Sequence, residues 1–283
     1  ILWSQSSSQQ AEVKQYSGGS TLISYSIVKH GIVGDFNIDY NPLFSDTSNG
    51  NYHLSDYSPA IGAGTSTGAP STDIDGNPRP NPEGSNPDMG AYENALGSPA
   101  NAPPTITISN VSILEDASEQ TVNMAGIGDG DALSDQTLTI TATSSNTNLI
   151  PNPAVNYTSG EATGQLTFTP VADAYGTAVV TVRVEDDGGT ENGGIDTVIV
   201  SFDIDVTPVN DQPTITEIPD LLPILEDAGE LTINFSGIGP GAANEDQDIT
   251  VTAVSSDPSI IPDPAVVYTS PNAEGTLSYT PVA

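Results

Sequence analysis

The chain has 283 residues, room for two or three domains of ordinary size, and carries 37 acidic against four basic side chains. A formal net charge of −33 argues against nucleic acid and anionic membrane surfaces as partners, and favours cations. The absence of cysteine excludes disulfide staples and thiolate zinc sites, and no run is apolar and long enough to span a membrane.

Only 14% of residues are charged, so the acids do not form one solvating tail. They punctuate runs such as "TLTITATSS" and "AVVTVRVED", rich in Thr, Val, Ile and Ser, with 27 Gly and 23 Pro between them. That is β-sheet composition with almost no amphipathic helical period, so an all-β fold is expected. The chain begins at Ile1 without an initiator Met or signal peptide and reads as a piece of something larger.

In residues 1–97 short strand-like runs alternate with Asn/Gly turns: "TLISYSIVKHG", "FNIDYNPLF", "NYHLSDYSPAIGAG", then "DIDGNPRP" and "DMGAYEN". This order resembles the C-terminal end of bacterial right-handed parallel β-helix proteins of the choice-of-anchor type, over roughly residues 20–94. The resemblance implies terminal coils closed by a cap. A solenoid needs one, because its last coil would otherwise expose a sheet edge and core. Tyr92, Leu54 and Ile61 are expected in that core, and Arg79 is expected to clamp onto Asp73, Asp75, Asp88 or Glu93. Many β-helix proteins cleave or bind polysaccharides. Lys29–His30 is the local candidate for a lyase base, and Asp35 with Asp39, or Asp46 with Asp56, for a glycosidase pair. A cap with surface acids is the plainer reading, with any active site of the parent protein lying upstream.

Residues 101–208 and 209–283 are two tandem copies. "ILEDA" at 113–117 returns at 224–228, and "GQLTFTPVA" at 164–172 matches "GTLSYTPVA" at 275–283, each pair offset by 111. The period suits one β-sandwich per copy. In the first copy strands are expected near 104–108, 119–124, 136–144, 153–158, 164–170, 178–186 and 196–206, an Ig-like Greek key. Val180, Val182 and Val184 should share one face. The second copy stops at "TPVA" and is expected to lack its last two strands, leaving edges unpaired and apolar area uncovered. The natural chain is expected to go on.

The acids of the first copy fall in its loops: Glu115 and Asp116; Asp129, Asp131 and Asp135; Asp173; Glu185, Asp186 and Asp187; then Asp205, Asn210 and Asp211. Loops of a sandwich gather at its two ends, where carboxylates repel one another unless a cation joins them. Calcium takes 6–8 oxygen ligands in irregular geometry. "VRVEDDGG…DTVIVSFDIDVTPVNDQPTI" resembles the end of a cadherin-like repeat and its linker, in the bacterial form found in large surface proteins. That resemblance implies calcium at the junctions. Glu115, Asn210 and Asp211, with Asp205 nearby, would line the junction between copies, with Asp246 opposite. Asp186 or Asp187 would serve the junction upstream, with Asp135 as the counterpart of Asp246. The sequence departs from the animal pattern: the linker "DVTPVND" is longer, no L-D-x-E segment precedes the acid-Gly turn, and the first linker, "NAPP", lacks the Asp. The acidic loops do not have EF-hand spacing.

Three functions follow as expectations. The first is a non-catalytic, calcium-stiffened adhesive stalk of a secreted or cell-surface bacterial protein, carrying a β-helix that meets polysaccharide, cell-surface glycan or protein. The second is the stalk of a secreted polysaccharide lyase or glycoside hydrolase. The third is an acidic spacer whose Asp and Asn merely solvate turns.

Overall fold

The structure, a computed structural model, describes residues 1, 23–29, 34–132 and 134–283. It is all-β. Among the described residues the strands are β1 (Phe44–Asp46), β2 (Asn51–Leu54), β3 (Thr105–Thr107), β4 (Val111–Leu114), β5 (Gln120–Gly128), β6 (Thr139–Ser144), β7 (Ala154–Asn156), β8 (Thr163–Phe168), β9 (Gly176–Glu185), β10 (Thr197–Thr207), β11 (Leu231–Ser236), β12 (Ala265–Val267) and β13 (Glu274–Tyr279). No helix of the described residues is long and apolar enough to cross a membrane.

Residues 105–207 form a sandwich of two four-stranded sheets, β3-β5-β8-β7 and β4-β10-β9-β6. Alternation along each strand sends one face inward. Val180, Val182 and Val184 of β9 are fully buried against Met124, Leu166 and Ile204, while Thr181 and Arg183 point away. Each such side chain contributes about 1.5–3 kcal/mol by leaving water. All seven expected strands are present, with ends shifted by a few residues. The eighth, β4, was not expected. It pairs in parallel with the end of β10, Ile113 opposite Val206, so its existence depends on a segment at the other end of the repeat.

The second copy repeats the first sheet in the same register. Gln120 faces Phe168 and Leu231 faces Tyr279; Ala154 faces Thr167 and Ala265 faces Ser278. Thr214 bridges Gly239 as Thr105 pairs with Gly128. Two residues before Gly128 and Gly239, Gly126 at the irregularity in β5 and Gly237 just after β11 both have positive φ (61° and 72°), which explains why the motif keeps glycine there. The sheet is β11-β13-β12, and residues 222–225 and 250–255, the counterparts of β4 and β6, form no strand.

The N-terminal segment is turn-rich. An antiparallel hairpin, β1-β2, packs on a small core of Ile27, Leu54, Ala60, Ile61 and Met89. Leu54 and Ile61 are buried as expected, whereas Tyr92 is half-buried, its ring 4.0 Å from that of His53. Arg79 reaches Glu93, Nε to Oε1 at 2.7 Å, fulfilling the expected clamp. Parallel pairing among the described residues of this segment is limited to one bridge, Ile27 with Ile38, and they contain no parallel sheet of a β-helix. His30 of the Lys29–His30 pair lies outside the described residues. Asp46 is occupied by a 3₁₀ turn, accepting from Ser48 and Asn49, and Asp56 accepts from Asn94. Asp35 and Asp39 are exposed.

Candidate metal centre

The junction between the two repeats is built around the first "ILEDA". Where β4 ends, the Glu115 amide continues the parallel pairing by donating to the Thr207 carbonyl at 2.9 Å. That turns the side chain inward, and Glu115 is only 2% exposed. Its Oε1 accepts from the Val209 amide and its Oε2 from Asn244 Nδ2, both at 2.7 Å. One buried carboxylate therefore ties the first repeat to the linker and to a loop of the second.

Asp116 and Asp173 sit in turns with left-handed backbone, φ 58° and 54°, and the Asp173 amide donates to Asp116 Oδ1 at 3.0 Å. Asp211 enters from the linker, its amide donating to Glu245 Oε1 at 2.7 Å. One carboxylate oxygen each from Asp116, Asp173 and Asp211 lie within 4.8 Å of one another. Beside them Asp211 Oδ2, Asn244 Oδ1 and Glu245 Oε2 are shielded from solvent and receive no hydrogen bond. Shielded acceptors without donors cost about 1–3 kcal/mol each, more when charged. Partial burial raises the Asp211 pKa, and the charges of Asp116, Glu245, Asp173 and Glu115 raise it further. The Glu245 carboxyl is held low, chiefly by the Asp211 amide.

The opposite pole of the first repeat is organised in a similar way. Asp186, 5% exposed, accepts through Oδ1 from Asn101 Nδ2 at 2.8 Å and from the Gly188 amide at 3.0 Å. Its Oδ2 and Gln136 Oε1 are shielded and without a donor. Gln136 Nε2 donates to Asn101 Oδ1 at 2.7 Å and also to Asp131. Burial raises the Asp131 pKa, with Asp129 and Asp186 adding repulsion against the hydrogen bonds from Ala102 and Gln136. The Asn101–Gln136 contact recurs as Asn210–Gln247 at 2.5 Å; the next linker amide differs in its acceptor, Ala102 donating to Asp131 and Asp211 to Glu245, which stands where the first repeat has Ser134. Asp211 stands where the first linker has Ala102, so the first linker brings no carboxylate to this pole from that position.

Of the residues named from sequence, Glu115 and Asp211 meet at one junction, with Asn210 adjacent and holding Gln247. Asp186 is the buried acid of the other pole. Asp187 is exposed there and caps the Thr137 amide at 2.9 Å. Asp135 is exposed beside Asp129. Asp246 is exposed, and its neighbour Glu245 faces Asp211 instead. Asp205 lies on the outer face of β10, accepting from Thr177 Oγ1 at 3.2 Å. Sequence reasoning placed Asp116 and Asp173 in loops without assigning them to the junction, and missed Asn244 and Glu245. The signal available for Asp116 was its return as Asp227 in the second "ILEDA"; nothing local shows that its turn and that of Asp173 share a pole. The donor set is entirely hard oxygen, from carboxylates and an amide, the type that hard cations such as calcium take.

No protein family matches the chain, and no curated protein matches it either. Among solved structures it is similar to domains 4 and 5 of the S-layer protein SbsC, at 18% identity and a TM-score of 0.25. That match covers 41% of this chain and 54% of that one, so the chain spans about half of its length. Titin domains Z1Z2 in complex with telethonin match at 9% identity and a TM-score of 0.29, covering 64% of this chain and 82% of theirs.

Proposed function

We propose that this chain is a non-catalytic segment of a secreted or cell-surface protein, in which calcium at the repeat junction stiffens a row of β-sandwiches. The observation that carries this reading is the set of shielded, donor-less oxygens of Asp211, Asn244 and Glu245 beside the carboxylates of Asp116 and Asp173. Without a cation these groups repel and lack partners; with one, every oxygen gains a partner. Asp116, Asp173, Asp211, Asn244 and Glu245 would hold the ion, and Glu115 would fix the angle at which the loops present them. The row would hold the N-terminal segment, which resembles the end of a β-helix, out towards glycans or proteins. Phe44, Tyr52, Met89 and Tyr92 of that segment line a cavity of about 540 Å³, and their aromatic walls suit sugar rings.

Calcium titration tests the reading. At a hundredfold excess over its dissociation constant one junction ion adds about 2.7 kcal/mol, seen as a rise in melting temperature that chelator reverses. Scattering should show the two repeats holding a narrower range of angles. Identical melts with calcium and with chelator would reject the ion.

A further inference from the structure

In the N-terminal segment Tyr25 and Phe36 stand in backbone that aromatic residues avoid. Their φ angles are 49° and 59°, in the left-handed region, where a residue with a side chain costs about 1–3 kcal/mol. Their rings stack, with centroids 4.7 Å apart and planes 20° from parallel. Burial does not offset the strain: Phe36 is 68% exposed and takes no part in the small core. Hydrogen bonds between two short stretches hold the pair in this pose. The Tyr25 amide donates to the Asp35 carbonyl at 3.1 Å, and the Ile38 amide to that of Ser26 at 2.9 Å. Asn37 Oδ1 accepts from the Ser26 amide at 3.1 Å, while its Nδ2 donates to the Ile23 carbonyl at 2.8 Å. The stack therefore presents a ring to solvent on a tied turn.

The two rings form one wall of an open trough of about 450 Å³, with Met89 also lining it and Thr65, Ser66 and Asn86 along its border. This trough is separate from the cavity lined by Tyr52 and Tyr92, and its size lies in the range of about 300–1,000 Å³ that small-ligand sites occupy. We propose that it is a subsite for one or two uncharged sugar rings of a neutral polysaccharide, a proposal that rests on the glycan-facing reading of this segment given above. The C–H groups on one face of a hexose carry partial positive charge and lie flat on the negative face of an aromatic ring. The side chains of Thr65, Ser66 and Asn86 supply hydroxyl and amide groups for the sugar hydroxyls. Charge selects within the class. Asp35 is exposed on the same turn, none of the described residues lining the trough is basic, and the chain carries −33. A uronate polymer is therefore repelled, whereas a neutral one is not.

The test is affinity electrophoresis of the whole chain in native gels containing mixed-linkage β-glucan, xyloglucan, galactomannan or polygalacturonate. Chelator is present throughout, so the outcome is independent of any junction ion. The expected result is retardation by at least one of the three neutral polymers and none by polygalacturonate. Phe36→Gly should weaken that retardation at least about tenfold, the effect of removing an aromatic anchor, and Phe36→Trp should keep it. Because glycine relieves the left-handed backbone, Phe36→Gly should melt no lower than the parent chain. Retardation unchanged in Phe36→Gly would overturn the proposal, and a lowered melting temperature beside it would make Phe36 a cover for Tyr25. Equal retardation by polygalacturonate would overturn the selection for uncharged sugar. Loss in Tyr52→Ala but not in Phe36→Gly would move sugar binding to the other cavity, so that the glycan-facing reading stands and this proposal falls. No retardation by any neutral polymer would overturn both.

Discussion

Replacing Glu115 with Ala tests the buried staple apart from the ion proposed beside it. The carboxylate is 2% exposed and accepts two short hydrogen bonds, from the Val209 amide and from Asn244. A hydrogen bond to a charged group contributes about 1.5–3 kcal/mol, giving a ceiling of about 6 kcal/mol for the pair. Truncation opens space that water can enter to serve one donor, so a net loss of about 3 kcal/mol is expected. Glu115→Gln is isosteric. Its amide oxygen can accept from Val209 and its amide group can donate to Asn244 Oδ1, so it should stay within about 1 kcal/mol of the parent. Urea unfolding in chelator, followed by circular dichroism, reads the difference without any metal contribution. With a slope of about 1–3 kcal/mol per molar, the midpoint of the Ala variant should fall by about 1–3 M. Equal midpoints for parent, Gln and Ala would refute the claim that this carboxylate joins the repeats.

Asp173→Asn should act with opposite signs in the two conditions. In chelator it removes repulsion from Asp116 and Asp211 and raises the melting temperature; in calcium it removes a ligand, and the calcium-induced rise shrinks. Gly188→Ala should destabilise the first repeat by about 1–3 kcal/mol, because a Cβ there would stand 2.0 Å from Asn101 Oδ1 and break its bond to Gln136; denaturant melts check it. The N-terminal segment should show a pH optimum. Burial works against the charge on Asp73, but hydrogen bonds from Asn77, Glu93 and Asp75 outweigh it and hold the pKa at about 2, below the ordinary 3.8, so this group's stabilisation is full above about pH 4 and lost towards pH 2. Burial pushes Asp88 up to about 6 against hydrogen bonds from Asn94 and Gly62, so its protonated form favours folding and that advantage is lost as pH rises from about 4 through 6. Together they place maximal stability near pH 4, and amide exchange around residues 60–94 at pH 4 and pH 7.5 should differ in that sense. Asp88→Asn should flatten the alkaline side of the curve.

The repeat and its sandwich were legible because both signals are periodic. Alternation along "TAVVTVRVE" gives the buried face of β9, and the offset of 111 lets one copy interpret the other. β4 was not legible, since "VSIL" is short and becomes a strand only against β10. Arg79 was readable as a clamp because it stands among acids with no other arginine nearby. The junction cluster was only partly legible. Glu115 and Asp211 belong to phrases with a recognisable pattern, whereas Asp116 and Asp173 meet through two left-handed turns whose convergence is a property of the folded pole. Asp246 follows from the repeat as the counterpart of Asp135, and nothing in "NEDQD" says that its neighbour Glu245 is the acid that turns towards the linker.

The Asn–Gln contact at the head of each repeat, Asn101 with Gln136 and Asn210 with Gln247, has a consequence for the array. Each copy thus brings its own fitting for the linker that precedes it, so duplicating one segment of gene would carry the fitting along with the sandwich it serves.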